Sequence, residues 1–186
     1  MRRLSGILCA VAVVCALILG MVNEQTAPVI ARQRERSLTE ALAAVLPASD
    51  YIKKDDAGSY YEAVDAGKQV LGWCLELSGK GYGGQIRLLA GIDGRGRITA
   101  IKILDHKETP GLGTKIIEVR AGEDSPWFIR QFQGKTHEDM ILVKGATEKN
   151  IQAITGATIS SQAVVSAVNH GVSEFLRAKQ RRLPQE

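Results

Sequence analysis

The sequence predicts an α+β protein: one membrane-spanning helix at the N-terminus, then an antiparallel sheet with flanking helices. Three observations lead there. Residues 4–22 form an uncharged apolar run, LSGILCAVAVVCALILGMV. Strand-like runs separated by turn residues follow between Tyr60 and Leu104. Beyond them the apolar residues recur at helical spacing, and these helices are not interleaved one by one with strands. A length of 186 residues suits one such domain plus an extra segment.

At ~1.5 Å per residue, a helix over Leu4–Val22 reaches roughly 28 Å, about one hydrocarbon core. Arg2 and Arg3 would equally suit a cleaved export signal. Cleavage needs small residues at alternate positions after the run. Here Met21-Val22-Asn23-Glu24-Gln25 follows, and the later Thr26-Ala27 meets Pro28. Cys9 follows Leu8 and Cys15 follows Val14, so neither has the small neighbour that a lipid-modified cysteine needs. An uncleaved single span is expected. Arg2 and Arg3 precede it while Arg32, Arg34 and Arg36 follow it, so the positive-inside count does not orient it. The domain that follows is long enough to be exported regardless of charge.

Thr26 can cap a second helix, Pro28 suits its first turn, and Ile30, Leu38, Leu42 and Leu46 follow one side until Pro47 stops it. This helix is expected to dock the anchor to the domain. Residues 48–59 are polar and read as a loop. The expected organisation is thus an anchor over residues 1–25, a connecting helix and loop over 26–58, and the folded domain over 59–186. Strands are expected over Tyr60–Val64, Gln69–Leu77, Gln85–Asp93 and Arg97–Leu104, with Asp93-Gly94-Arg95-Gly96 as a hairpin turn. The stretch from Gly79 to Gly84 reads as a flexible turn, because no helix follows it to complete a phosphate-cradling loop. Short helices are expected over Thr114–Arg120 and Ser125–Gln131, and a short strand over Ile141–Val143. Residues 159–179 carry the clearest helix of the domain: Val164, Val165, Val168, Val172, Phe175 and Leu176 recur at its spacing, and a basic tail suits its C-terminal dipole.

Charge excludes one class of partner. The net +4 comes from the ends; between residues 4 and 176, 18 basic residues face 19 acidic ones. A near-neutral body lacks the basic face that a phosphate backbone requires, so no nucleic-acid binding is expected. Three cysteines rule out a disulfide-stapled scaffold, and Cys74, alone outside the apolar run, reads as a buried small hydrophobe.

Two stretches carry more chemistry than ordinary structure needs. Asp105-His106-Lys107-Glu108-Thr109-Pro110-Gly111-Leu112-Gly113 ends a strand in a loop with an imidazole, a carboxylate and a hydroxyl. A plain turn accounts for it. One histidine with two carboxylates makes a poor metal site without a second His or Cys nearby. Thr155-Gly156-Ala157-Thr158-Ile159-Ser160-Ser161 directly precedes the long helix. Small residues let a ligand approach the backbone, and a helix N-terminus welcomes phosphate. An N-cap is the alternative, yet capping needs one hydroxyl and the segment offers four.

On these residues the chain resembles a known family. ITGATISSQAVVSAV resembles the flavinylation motif, S/T-G-A-T, of covalent FMN-binding domains, and DHKETPGLGTKI resembles their H-x-E-T-P-G-L-G loop. The order of span, strands, GYGG turn, HKETPGLG loop, WFIRQFQGK segment and TGAT resembles the G subunit of Rnf-type ion-translocating electron-transport complexes. The C subunit of sodium-pumping NADH:quinone reductase is a related family with the same domain.

The resemblance makes 59–186 an FMN-binding domain and Thr158 the residue whose hydroxyl is esterified to the FMN phosphate. It implies that Thr155, Gly156 and Ala157 shape the approach. The loop residues Glu108, Thr109, Pro110, Gly111, Leu112 and Gly113 are expected near the flavin with His106 beside them; Lys144 is a candidate partner by position. Gln152 stands where the family pattern usually has an aspartate, in the stretch a flavin transferase is expected to read. No catalytic residue or metal ligand is implied: the isolated chain is an electron carrier, a flavoprotein subunit of a translocating oxidoreductase linking ferredoxin and NAD(H) to ion movement. The implied partners are other membrane and iron–sulfur subunits of that complex, and the transferase. The implied location is the bacterial or archaeal cell membrane, single-pass, with the domain extracytoplasmic. The competing class is a membrane-anchored FMN-binding sensor or assembly module outside any pump.

Overall fold

The structure, a computed structural model, describes residues 2–54 and 60–182; the 55–59 part of the expected loop and the last four residues of the tail lie outside the described residues. The chain divides into two compact units at Thr39 and Glu40.

The first helix, α1, runs without a break over Arg2–Val45. It is long and apolar enough in its first half to cross a membrane, which fits membrane anchoring. The expected second start at Thr26 is not there. Thr26 Oγ1 donates instead to the carbonyl of Val22, 2.8 Å away and one turn back, so the hydroxyl serves as a helix-interior partner and not as a cap. Pro28 sits inside the helix. In the second unit, the end of α1 buries Ala41, Leu42, Val45 and Leu46. Docking therefore begins at Ala41, and Ile30 remains exposed.

Five strands form one antiparallel sheet in chain order: β1 (Asp50–Lys54), β2 (Tyr60–Val64), β3 (Val70–Lys80), β4 (Gln85–Asp93) and β5 (Ile98–Asp105). The strands expected over Tyr60–Val64 and Gln85–Asp93 are found with those bounds. The first strand was expected as loop. Its residues, DYIKK, are polar because an edge strand needs only one neighbour, and it pairs with β2 from Asp50↔Val64 to Lys54↔Tyr60. At the β4–β5 turn, Asp93 Oδ1 accepts from the backbone N–H of Arg95 and Arg97, each at 2.9 Å, while Gly96 takes φ +77°. That is the expected hairpin.

Side chains alternate across the sheet. One face supplies Leu75, Leu88, Ala90, Ile92 and Ile101 to a core closed by the C-terminal helix α3 (Thr158–Arg182), which contributes Val164, Val165, Val168, Val172 and Phe175. Residues of the opposite parity, Tyr61, Cys74 and Leu89, are also buried. On that side Tyr51 Oη donates to the Leu46 carbonyl at 2.7 Å, and Thr99 Oγ1 donates to that of Val45. The sheet is thus covered on both faces: an α+β architecture.

Between β5 and α3 the chain makes short elements that carry the site: a 3-10 turn over Gly113–Ile116, α2 (Trp127–Arg130), a 3-10 turn over His137–Asp139, then β6 (Leu142–Val143) and β7 (Ile151–Gln152). The helices expected over Thr114–Arg120 and Ser125–Gln131 shrink to single turns. Ile116 and Phe128 are each fully buried, so one apolar anchor per turn holds them without further helix. Strand β7 was not expected; it pairs with β6 in parallel, Leu142↔Ile151 and Val143↔Gln152.

Burial pushes the Cys74 thiol from its ordinary 9.0 up to about 12. A raised folded value favours the folded state at pH below the unfolded value, and that contribution fades only as pH climbs towards 12. In a full chain with Cys9 and Cys15 replaced by alanine, Cys74 is expected to resist iodoacetamide at pH 8 until denaturant is added. Rapid alkylation of the folded chain would contradict its placement.

Candidate functional site

The site forms where three segments distant in sequence meet at the N-terminus of α3. Glu108 follows β5 and is 5% exposed. Its Oε1 accepts from the backbone N–H of Gly83 at 3.0 Å, and its Oε2 accepts a short hydrogen bond from Ser160 Oγ. One carboxylate therefore ties the GYGG turn to the first turn of α3, where the helix dipole favours an anion. His106 Nδ1 accepts from the Glu108 N–H at 3.3 Å and holds the loop behind it.

The turn that expectation made flexible is tightly packed. A Cβ on Gly83 would stand 1.9 Å from the Lys107 carbonyl oxygen, a backbone atom that cannot give way. Gly83→Ala is expected to lower stability by about 1–3 kcal/mol, as overpacked positions do. A urea midpoint equal to the parent's, followed by tryptophan emission in detergent, would contradict that close approach.

The rest of the HKETPGLG loop turns outward. Thr109, Pro110, Gly111 and Leu112 are exposed, and Gly113 is buried where the 3-10 turn begins. Thr114 Oγ1 accepts from the Gly111 N–H at 2.9 Å, fixing the loop tip. Leu112 reaches the second motif: its Cδ2 lies 3.7 Å from where a Cβ on Gly156 would stand, and Gly156 takes φ +80°. The two motifs read separately from the sequence thus lie side by side.

The four hydroxyls of the TGATISS segment divide evenly. Ser160 and Ser161 are buried. Ser161 Oγ accepts from the Ile154 N–H at 3.1 Å and donates to the Ala157 carbonyl at 2.9 Å. Together with the Ser160 bond to Glu108, these tie the start of α3 to the segment before it and to the loop after β5. Thr155 and Thr158 are left exposed, with Ala157 buried between them. Thr158 opens α3, and the first-turn N–H groups of a helix have no acceptor within it. Lys144 is exposed just beyond β6, where the parallel register continues alongside Ala153. Gln152 is held at its backbone by Gln131, whose Oε1 accepts from the Gln152 N–H at 2.7 Å and whose Nε2 donates to its carbonyl at 3.3 Å.

Two hollows flank the segment. A cavity of about 440 Å³ is bordered by Thr155, Ile154 and Gln152 on one side and Lys115, Arg120 and Trp127 on the other. Thr158 edges a broader groove of about 790 Å³ between β3 and α3. Sequence reasoning missed the residues facing Thr155; the WFIRQFQGK segment was the signal that could have drawn attention to Trp127. It also missed Ser160, whose role depends on a carboxylate 52 residues earlier.

Comparison with known proteins decides the family. The model of the FMN-binding domain matches residues 81–173, and the model of the RnfG N-terminal region matches residues 1–45. The G subunit of the proton-translocating ferredoxin:NAD(+) oxidoreductase complex of Clostridium ljungdahlii is 32% identical over 162 residues, covering 87% of this chain and 84% of that protein. The chain belongs to the G-subunit family of Rnf-type ion-translocating oxidoreductase complexes. The corresponding G subunit of the Na(+)-translocating complex of Acetobacterium woodii is also 32% identical, over 195 residues, covering 93% of this chain and 90% of that protein. The crystal structure of NqrC from Shewanella oneidensis matches with a TM-score of 0.55 at 18% identity, covering 76% of this chain and 74% of that one; this likeness concerns the fold.

The residues of this Rnf-type chain fit an FMN phosphate. An exposed hydroxyl stands at the start of a 25-residue helix, beside a glycine whose missing Cβ leaves only Leu112 within 4 Å. A phosphoryl group there meets free backbone donors, the preference that helix N-termini show for anions.

Proposed function

We propose that the chain is the flavin-carrying electron-transfer subunit of a membrane-bound complex that couples ferredoxin/NAD(H) electron transfer to ion translocation. FMN is joined through its phosphate to Thr158, the N-terminal helix is the single membrane span, and the domain is extracytoplasmic. The observation that carries this reading is the meeting of the two motifs at the start of α3, with Thr158 exposed and the serines beside it already bonded. When bound, the flavin supplies one- and two-electron chemistry.

The chain's own residues do the rest. Thr158 presents its hydroxyl, Gly156 leaves room beside it, and the first turn of α3 offers N–H donors. Glu108 and His106 hold the loop that brings Leu112 against Gly156, and Lys144 stands exposed just beyond β6, the strand paired with the one that leads into the motif. Thr109, Pro110 and Gly111 form the exposed rim, with Gly113 packed beneath. The partners are the other membrane and iron–sulfur subunits, and a flavin transferase during maturation. The relatives named for protons and for Na(+) are equally similar to this chain, which suits a protein that carries electrons and leaves ion choice to others.

Membranes from the native host supply the test. A 20.1 kDa band that fluoresces after denaturing electrophoresis and copurifies with multi-span subunits is expected. Protease added outside spheroplasts should remove the domain. A dark band refutes covalent FMN, purification of the chain alone favours a sensor or assembly role, and protection from external protease places the domain inside.

A further inference from the structure

Strand β7 leads into the TGAT segment, and among the described residues one of its edges meets no strand. On the paired edge, the N–H groups of Ile151 and Ala153 donate to the Ile141 and Val143 carbonyls, 2.9 and 2.8 Å away. The backbone N–H and C=O of Gln152, between them, face the other side. There the side-chain amide of Gln131 takes both: Oε1 accepts from the N–H at 2.7 Å, and Nε2 donates to the carbonyl at 3.3 Å. One side chain does for residue 152 what a third strand would do.

Gln131 can hold this position because its own segment is fixed. Phe128 and Phe132 are fully buried and meet edge-on, with ring centroids 5.5 Å apart. The Gly134 N–H donates to the Ile98 carbonyl at 2.8 Å and the Ile98 N–H to the Lys135 carbonyl at 2.9 Å, joining the segment to the first residue of β5. The run after Gln152 has separate holds. Ala153 is bonded to β6, the Ile154 N–H to Ser161 Oγ, and the Ala157 N–H to the Ile154 carbonyl at 3.0 Å. Loss of the Gln131 amide therefore frees residue 152 and leaves the setting of Thr158 in place.

We propose that Gln131 is a positioning residue for flavin attachment: its amide fixes the backbone of residue 152, and with it the side chain that a flavin transferase reads on the way to Thr158. The inference rests on attachment at Thr158. Gln152 is half-buried and borders the hollow that Trp127 and Arg120 also line, so an incoming protein meets its side chain at a rim already formed. A freed residue would have to be ordered at the moment of recognition, which weakens capture and leaves the later chemical step unchanged.

Lys135 supplies an internal control. Its ammonium donates to the carbonyls of Glu148 and Lys149, the latter at 2.7 Å, in the loop before β7. It steadies the same stretch of chain through residues other than 152.

The full chain, produced without a transferase and purified in detergent, is incubated with a flavin transferase and FAD. The Thr158 oxygen takes the FMN phosphorus, the phosphoanhydride bond of FAD breaks, AMP leaves, and the hydroxyl proton passes to solvent. Intact mass follows the FMN increment over a range of chain concentrations, giving KM and kcat for the chain as substrate, and the final yield. Gln131→Met is similar in length without the polar pair. It should raise KM roughly five- to ten-fold, the effect of one neutral hydrogen bond, with kcat and final yield those of the parent. Gln131→Glu keeps the acceptor and loses the donor, so its KM should fall between the two. Lys135→Met should leave KM near that of the parent. A parent chain that gains no increment refutes attachment and takes this role with it. With the parent labelled, an unchanged KM in Gln131→Met overturns the role alone. A final yield that falls in both Gln131 variants marks a misfolded fraction and overturns it as well. An equal rise of KM in Lys135→Met would assign the effect to general loosening before the motif, against a specific role for Gln131.

Discussion

Replacing Thr158 with alanine is expected to remove the FMN mass increment entirely, while Thr155→Ala should keep it. This is the largest effect expected, because a phosphoester needs the hydroxyl and no neighbour can stand in for it. Ser160 is 2% exposed and bonded to Glu108; Ser161 is fully buried and bonded to the Ile154 N–H and the Ala157 carbonyl. Thr155 is exposed but lies before the helix, without the first-turn N–H groups that gather around a phosphate at Thr158. Thr158→Ser should keep the increment, since serine retains the attacking oxygen. Intact mass of each variant, made with the transferase present, decides it. An increment that persists in Thr158→Ala and vanishes in Thr155→Ala would move the attachment three residues towards the cavity.

The second large effect is on stability. Glu108→Ala leaves the Gly83 N–H and the Ser160 hydroxyl without their acceptor and opens a void between the turn and α3. Hydrogen bonds to a charged group contribute ~1.5–3 kcal/mol each, so a loss of about 3 kcal/mol or more is expected. Against a typical domain stability of ~5–15 kcal/mol, that is enough to shift the denaturation midpoint strongly. Glu108→Gln should cost less, about 1 kcal/mol, because its amide can still accept from Gly83 and donate to Ser160 Oγ once that hydroxyl rotates. Equal midpoints for the parent and Glu108→Ala in urea would mean that the carboxylate does not hold the turn and helix together. Flavin yield should follow the same ranking, since the helix start that presents Thr158 rests on this bond.

These two residues also mark what the sequence could tell. The β strands were legible because short apolar, β-branched runs bounded by turn residues, such as Gln85–Asp93 before the turn at Gly94, are a local signal. Thr158 was legible as part of a contiguous motif at a helix start. Glu108 stood out only as part of a loop expected near a flavin; its bond to Ser160 joins residues 52 apart, and no local pattern announces such a pairing. The break expected at Thr26 and Pro28 misled for the opposite reason. Capping residues are local signals, and here the Thr26 hydroxyl satisfies a carbonyl inside a helix that continues past it. Strand β1 was missed because an edge strand of DYIKK has too few buried positions to show alternation.

The meander of the sheet has a consequence in time. Strands β1 to β5 pair only with their neighbours in the chain, so the sheet can zip up from short-range contacts as soon as its residues are available. The proposed attachment site cannot. It closes bonds across 25 and 52 residues, the second of them to a helix that follows all seven strands. Contacts of such separation form late, after the loop-closure entropy has been met by other structure. The threonine is therefore displayed in its finished setting only once α3 has docked, and a stalled or truncated chain lacks the surface that a transferase would modify. Flavin on this protein would then serve as a record that folding ran to completion.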